Sequence, residues 1–93
     1  MSVLSDEEVQ GRLAELNPGW EKYGNSIRRE FKFGDFSGAV DFVNRLTPIA
    51  NEMNHHPDVF LSWGLARVSL ITHSEHGITE KDFEVAKKLD ELS

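Results

Sequence analysis

The chain has no cysteine among its 93 residues, which excludes disulfide bridges, thiolate metal sites and a cysteine nucleophile. Proline is scarce, at three residues, and no repeat, linker or low-complexity stretch stands out. Positive charge is also short: 10 Lys and Arg face 16 Asp and Glu, for a formal net charge of −6. A surface that binds nucleic acid by neutralising phosphates is therefore not expected. The densest basic stretch, Arg28, Arg29 and Lys32, reads as one solvated strand face. No apolar run approaches the ~18 residues of a membrane span, and none at the N-terminus resembles a secretory signal. The expectation is a cytoplasmic protein with no membrane partner. What remains suffices for a fold. A hydrophobic share of 39% supports a single domain over residues 1–93 with one modest core, and a domain this small often gains stability by self-association.

Periodicity places the elements. Ser5 with Glu8 three residues later is a capping-box pattern, and Val9, Leu13 and Leu16 form a helix-period stripe that Asn17-Pro18-Gly19 ends. Trp20 to Tyr23 and Ser26 to Phe33 read as strands around a Gly24-Asn25 turn. In the second, Ile27, Phe31 and Phe33 share one face, while Arg28, Glu30 and Lys32 share the other. Asp35 caps a helix with the stripe Phe36, Ala39, Val40, Val43, Leu46, Ala50 and Met53. Pro48 interrupts that stripe, so a kink near Thr47, or a restart capped by Thr47, is expected. Val59 to Trp63 and Arg67 to Thr72 form a second strand pair around Gly64. Thr79, with Asp82 three residues on, opens a last helix carrying Phe83, Ala86, Leu89 and Leu92. The order α-β-β-α-β-β-α gives an α+β two-layer sandwich: a four-stranded antiparallel sheet with three helices on one face.

The chemistry concentrates in His55-His56-Pro57, followed by His73 and then Asp82. Imidazole takes and gives protons near neutrality, with an unperturbed pKa of about 6.5. Proline forces the residue before it out of helical conformation, so His56 stands where a helix ends and a strand opens. A metal site would need imidazoles and a carboxylate on one centre, yet adjacent histidines diverge and no HExxH-like spacing occurs. A serine nucleophile would need a sharp elbow of the Gly-x-Ser-x-Gly kind, which is absent. Acid–base catalysis asks only that imidazoles converge on a pocket. The plain alternative is that these are surface and capping residues. His76, in a polar loop, is read that way; Asp82 also suits the first turn of a helix electrostatically. Trp20 and Trp63 read as core or interface aromatics, and Glu52, Asp58 and Glu75 as solvated.

Order and spacing add a resemblance. Asn54-His55-His56-Pro57-Asp58, Trp63, Thr72-His73 and Asp82 closely resemble the signature of the pterin-4a-carbinolamine dehydratases. The similarity spans nearly the whole chain, including Gly19-Trp20, Phe42-Val43-Asn44 and the Gly77-Ile78-Thr79-Glu80-Lys81-Asp82 turn. It implies the same α+β fold, assembly as a homodimer or homotetramer, and loss of water from a 4a-hydroxytetrahydropterin in tetrahydrobiopterin recycling. It implies no metal, flavin or nicotinamide. By the same resemblance His55, His56 and His73 are catalytic, with His55 and His73 near the 4a-hydroxyl and His56 toward the pterin ring. Trp20, Asn54, Pro57, Thr72 and Asp82 would complete the substrate site, Trp20 and Pro57 as wall and Asp82 as the anchor of the histidines.

Two positions depart from the pattern. Asn51 stands where the family often has an acid, and Asn54 where some relatives have Asp; a carboxylate there would favour a charged imidazole. The alternative function is a scaffold, because relatives of this family serve as a dimerisation partner of a homeodomain transcription factor and as an assembly factor for the carbon-fixing carboxylase.

Overall fold

The computed structural model describes residues 2–92. It contains α1 (Asp6–Leu13), β1 (Glu21–Tyr23), β2 (Ser26–Lys32), α2 (Phe36–Met53), β3 (Asp58–Ser62), β4 (Leu65–Leu70), a single 3₁₀ turn at His73–Glu75, and α3 (Glu80–Asp90). The four strands form one antiparallel sheet in the order β1-β2-β4-β3. This is the α+β architecture expected from the pattern, with the 3₁₀ turn as the one addition. No described helix is long and apolar enough to cross a membrane.

The period-2 alternation decides which sheet face is covered. Ile27 and Phe31 of β2 and Ala66, Val68 and Leu70 of β4 turn inward and are buried. Against them α2 sets Ala39, Phe42, Leu46 and Ala50, spaced at three and four residues so that one helix stripe meets the sheet. Phe42 lies at the centre, with its ring centroid 4.5 Å from Phe31 and 5.3 Å from Phe33. α3 adds Phe83, Val85, Ala86 and Leu89 to the same core. Burying one such side chain contributes roughly 1.5–3 kcal/mol, so this cluster dominates the fold's stability.

Three expectations are corrected. Of the two expectations at Pro48, the restart does not occur: the helix runs unbroken to Met53, and the Thr47 hydroxyl donates to the Val43 carbonyl at 2.9 Å instead of capping. Pro48 and Asn44, whose carbonyl loses its helical donor, are both exposed, so water can replace the missing bond. Arg29 is not on the solvated face with Arg28 and Lys32. It points inward with Ile27 and Phe31, and its guanidinium donates to Asp90 of α3 at 2.6 Å. Of the two readings of Trp63, core or interface, the core one falls: it is 70% exposed in the turn between β3 and β4.

That turn depends on a glycine. Gly64 has φ +68, and a Cβ there would stand 2.8 Å from the Phe33 carbonyl oxygen. Gly64→Ala is expected to cost about 1–3 kcal/mol, the range for a side chain forced into this conformation, read as a lowered urea midpoint with unchanged slope. The α1 cap gives a pH effect. The Ser5 backbone N–H, and then its hydroxyl, hold the Glu8 carboxyl below its ordinary value of 4.5. Since the folded value is the lower one, the box stabilises fully above the unfolded pKa and is lost as pH falls through the folded one. Below the ordinary 4.5, α1 amides should therefore exchange faster in the wild type, and this acid dependence should flatten in Glu8→Gln.

Candidate active site

α2 delivers the first two histidines by the way it ends. Asn54 takes the left-handed conformation (φ 50, ψ 43), and the next amide, His55 N–H, bonds back to the Ala50 carbonyl at 3.0 Å. This is a Schellman stop, for which asparagine is the usual substitute for glycine. The chain reverses direction, and adjacent imidazoles separate. His55 turns in and is 9% exposed, whereas His56 stays exposed beside a half-buried Pro57.

His55 meets α3. Its Nε2 lies 2.5 Å from Oδ1 of Asp82, a carboxylate with no exposed surface. The other oxygen, Oδ2, accepts from the Thr79 backbone N–H and from the Thr72 hydroxyl, each at 2.9 Å. Asp82 is thus both the capping-box residue of α3 and the partner of a histidine 27 residues away. A buried carboxylate is tolerable only when its lone pairs are taken up, and three donors do so here. An ionised carboxylate only accepts, so Nε2 of His55 carries the hydrogen.

Thr72 lies just past β4, its N–H on the Gly77 carbonyl at 2.9 Å. That bridge closes a loop in which His73 opens the 3₁₀ turn and His76, left-handed at φ 57, ends it. Both histidines are exposed, and the His73 ring has no hydrogen-bond partner among the described residues. The N-terminal segment straps this loop: Leu4 N–H donates to the Ile78 carbonyl at 2.8 Å, and Val3 packs on Gly77. His56 turns back on its own helix, where its Nε2 donates to Asn51 Oδ1 at 2.9 Å. Position 51 therefore addresses the second histidine and not the first.

The structure brings His55, Thr72 and Asp82 into direct contact, with His56 and His73 as the chain neighbours of two of them. Trp20 is elsewhere. It is 5% exposed, its indole N–H donates to Asp90 at 2.8 Å, and its ring meets Phe31 edge-on. Sequence reasoning missed two residues, Thr79 as a member of this network and Asn51 as the partner of His56. The signals were the Thr79–Asp82 spacing and the position of Asn51 within a turn of the helix end.

Residues 2–92 match the model of the family described as pterin 4 alpha carbinolamine dehydratase. The chain belongs to this family. A relative from Sulfurisphaera tokodaii, named "Putative pterin-4-alpha-carbinolamine dehydratase", is 46% identical over 92 residues, covering 99% of this chain and 98% of that protein. One of the same name from Rubrobacter xylanophilus is 47% identical over 90 residues, covering 96% and 83%. The crystal structure of a transcriptional coactivator/pterin dehydratase from Brucella melitensis superposes with a TM-score of 0.92 at 36% identity, covering 98% of each chain. A pterin dehydratase-like protein identified as a RuBisCO assembly factor shares the fold, with a TM-score of 0.68 at 19% identity over 80% of this chain and 88% of that one. Within the dehydratase family, then, this chain carries one histidine, His55, bonded to a buried carboxylate, with the exposed His56 and His73 as chain neighbours of His55 and Thr72.

Proposed function

We propose that this protein is a dehydratase that removes water from 4a-hydroxytetrahydropterin, giving the quinonoid dihydropterin in tetrahydrobiopterin recycling. The observation that carries this reading is the buried Asp82 holding His55 in one orientation, with the exposed His56 and His73 next in the chain to His55 and Thr72. The C4a hydroxyl leaves once it is protonated, the N5 lone pair pushes it out as water, and loss of the N5 proton restores neutrality. One acid and one base complete the balance, each worth about 10²–10⁴-fold. His55 and His73 serve at the hydroxyl, one of them as the acid, and His56 serves on the N5 side. Asn54, Pro57 and Thr72 line the substrate, and Asp82 acts through His55. Trp20, bonded to Asp90 away from this network, lines no part of the proposed site. No metal, flavin or nicotinamide enters this balance. Assembly as a homodimer or homotetramer is part of the proposal, supported by the exposed Tyr23, Phe60 and Trp63.

The test is a stopped-flow measurement of 4a-hydroxytetrahydropterin dehydration, read as acceleration over the spontaneous loss of water. Acceleration supports the enzyme; its absence from folded, assembled protein sinks it. A scaffold role is the second reading, favoured by Trp63 at 70% and Phe60 at 54% exposure. It predicts that His73→Ala leaves the biological role intact while Trp63→Ser abolishes it.

A further inference from the structure

We infer that Thr79 is a positioning residue, which through Thr72 aims Asp82 at His55 and leaves Nδ1 as the nitrogen that His55 presents to substrate. The part concerning substrate rests on the dehydratase reading; the part concerning the tautomer rests on geometry alone.

Counting hydrogens fixes the direction of each bond. Asp82 accepts at Oδ1 from His55 and at Oδ2 from the Thr79 backbone and the Thr72 hydroxyl. A threonine hydroxyl has a single hydrogen to donate. Thr72 gives its hydrogen to the carboxylate, so in the 2.8 Å contact between the two hydroxyls Thr79 donates and Thr72 accepts. Thr79 Oγ1 in turn accepts from the Lys81 N–H at 3.3 Å. Every hydrogen in the series Lys81, Thr79, Thr72 therefore points toward Asp82. Bonds aligned in this way polarise one another and rigidify a buried network.

The functional consequence lies at the other end. With Oδ2 held by two donors, only Oδ1 is left for the imidazole, and His55 must offer it Nε2–H. Its Nδ1 has no hydrogen-bond partner among the described residues. Nor is it sealed off, since Arg28 Nε is the one buried side-chain nitrogen or oxygen left unpaired among those residues. Nδ1 is thus the ring atom that keeps both a free lone pair and a path to the surface. Thr79 has no exposed surface and touches no substrate position itself, so its action runs through Thr72 and Asp82.

The experiment uses the full chain labelled with ¹⁵N-histidine. Long-range ¹H–¹⁵N correlations should show His55 as the Nε2–H tautomer, with a slowly exchanging Nε2 proton. In Thr79→Val, that proton should exchange about tenfold faster, and kcat for dehydration should fall about tenfold with KM changed less than about twofold, the scale of losing an outer hydrogen-bond partner. Thr79→Ser should restore both. An Nδ1–H tautomer in the wild type overturns the inference, and this result stands even if Thr79→Val does not fold. Native exchange and native kcat in folded Thr79→Val overturn it equally. The expected tautomer and exchange in a protein that does not accelerate dehydration would uphold the relay and remove only the dehydratase reading.

Discussion

Replacing His73 by alanine is expected to lower turnover of 4a-hydroxytetrahydropterin by about 10²–10⁴-fold, the usual contribution of a positioned general acid or base. Stability should change by no more than about 0.5 kcal/mol, as for exposed substitutions generally. The separation follows from its surroundings. His73 is exposed, its ring has no partner among the described residues, and the bonds that order its turn, Glu75 N–H to the Thr72 carbonyl at 3.0 Å and His76 N–H to the His73 carbonyl at 3.1 Å, are made by backbone that alanine retains. His55→Ala should lose turnover too, but with a stability cost of about 1–3 kcal/mol, because it removes a buried donor from Asp82. His73 is therefore the cleaner probe. Equal rates in His73→Ala and wild type would take His73 out of the chemistry.

The fold was largely legible in the sequence because its signals are local and agree with one another. The alternation of β2, the stripe of α2 and the two capping boxes each need only a few neighbouring residues to be read. Where the reading failed, tertiary packing had outweighed a local rule. Pro48 is a helix breaker by propensity, yet the apolar stripe on both sides of it is anchored through Leu46 and Ala50 in the core. Helical stability comes mostly from such packing, so one missing hydrogen bond at an exposed position does not end the helix. Arg29 failed in the opposite way. Alternation puts residue 29 on the face of Ile27 and Phe31, but its charge argued for water; Asp90 and Trp20, contributed by distant segments, complete the buried network that lets the charge point inward. The candidate site divides along the same line. The histidines and the Thr79–Asp82 spacing are visible in the chain. The joining of His55 to Asp82 is not, because it depends on how α2 stops and where α3 starts.

That joining gives the second large effect, at Asp82 itself. Asp82→Ala is expected to cost about 3–5 kcal/mol, the scale of removing one partner from a buried charged network. The Thr79 N–H, the Thr72 hydroxyl and His55 Nε2 would all lose their acceptor in a place with no exposed surface. Urea unfolding reads this directly, and a cost under about 1 kcal/mol would mean that water enters the site. Asp82→Asn is the more informative change because it keeps the shape. The amide oxygen must go to the side where two donors converge, Thr79 N–H and Thr72 O–H, which leaves the amide NH₂ facing His55. Two donors then oppose each other, and His55 can relieve the conflict only by accepting at Nε2 and moving its hydrogen to Nδ1. Turnover should fall by about 10²–10⁴-fold with the fold retained, as when a carboxylate-held catalytic histidine is forced into the wrong tautomer. The ¹⁵N spectrum separates the possible causes. A switch to Nδ1–H accompanied by lost turnover ties the chemistry to the tautomer, while the same switch with full turnover would show that Asp82 serves the fold and not the reaction.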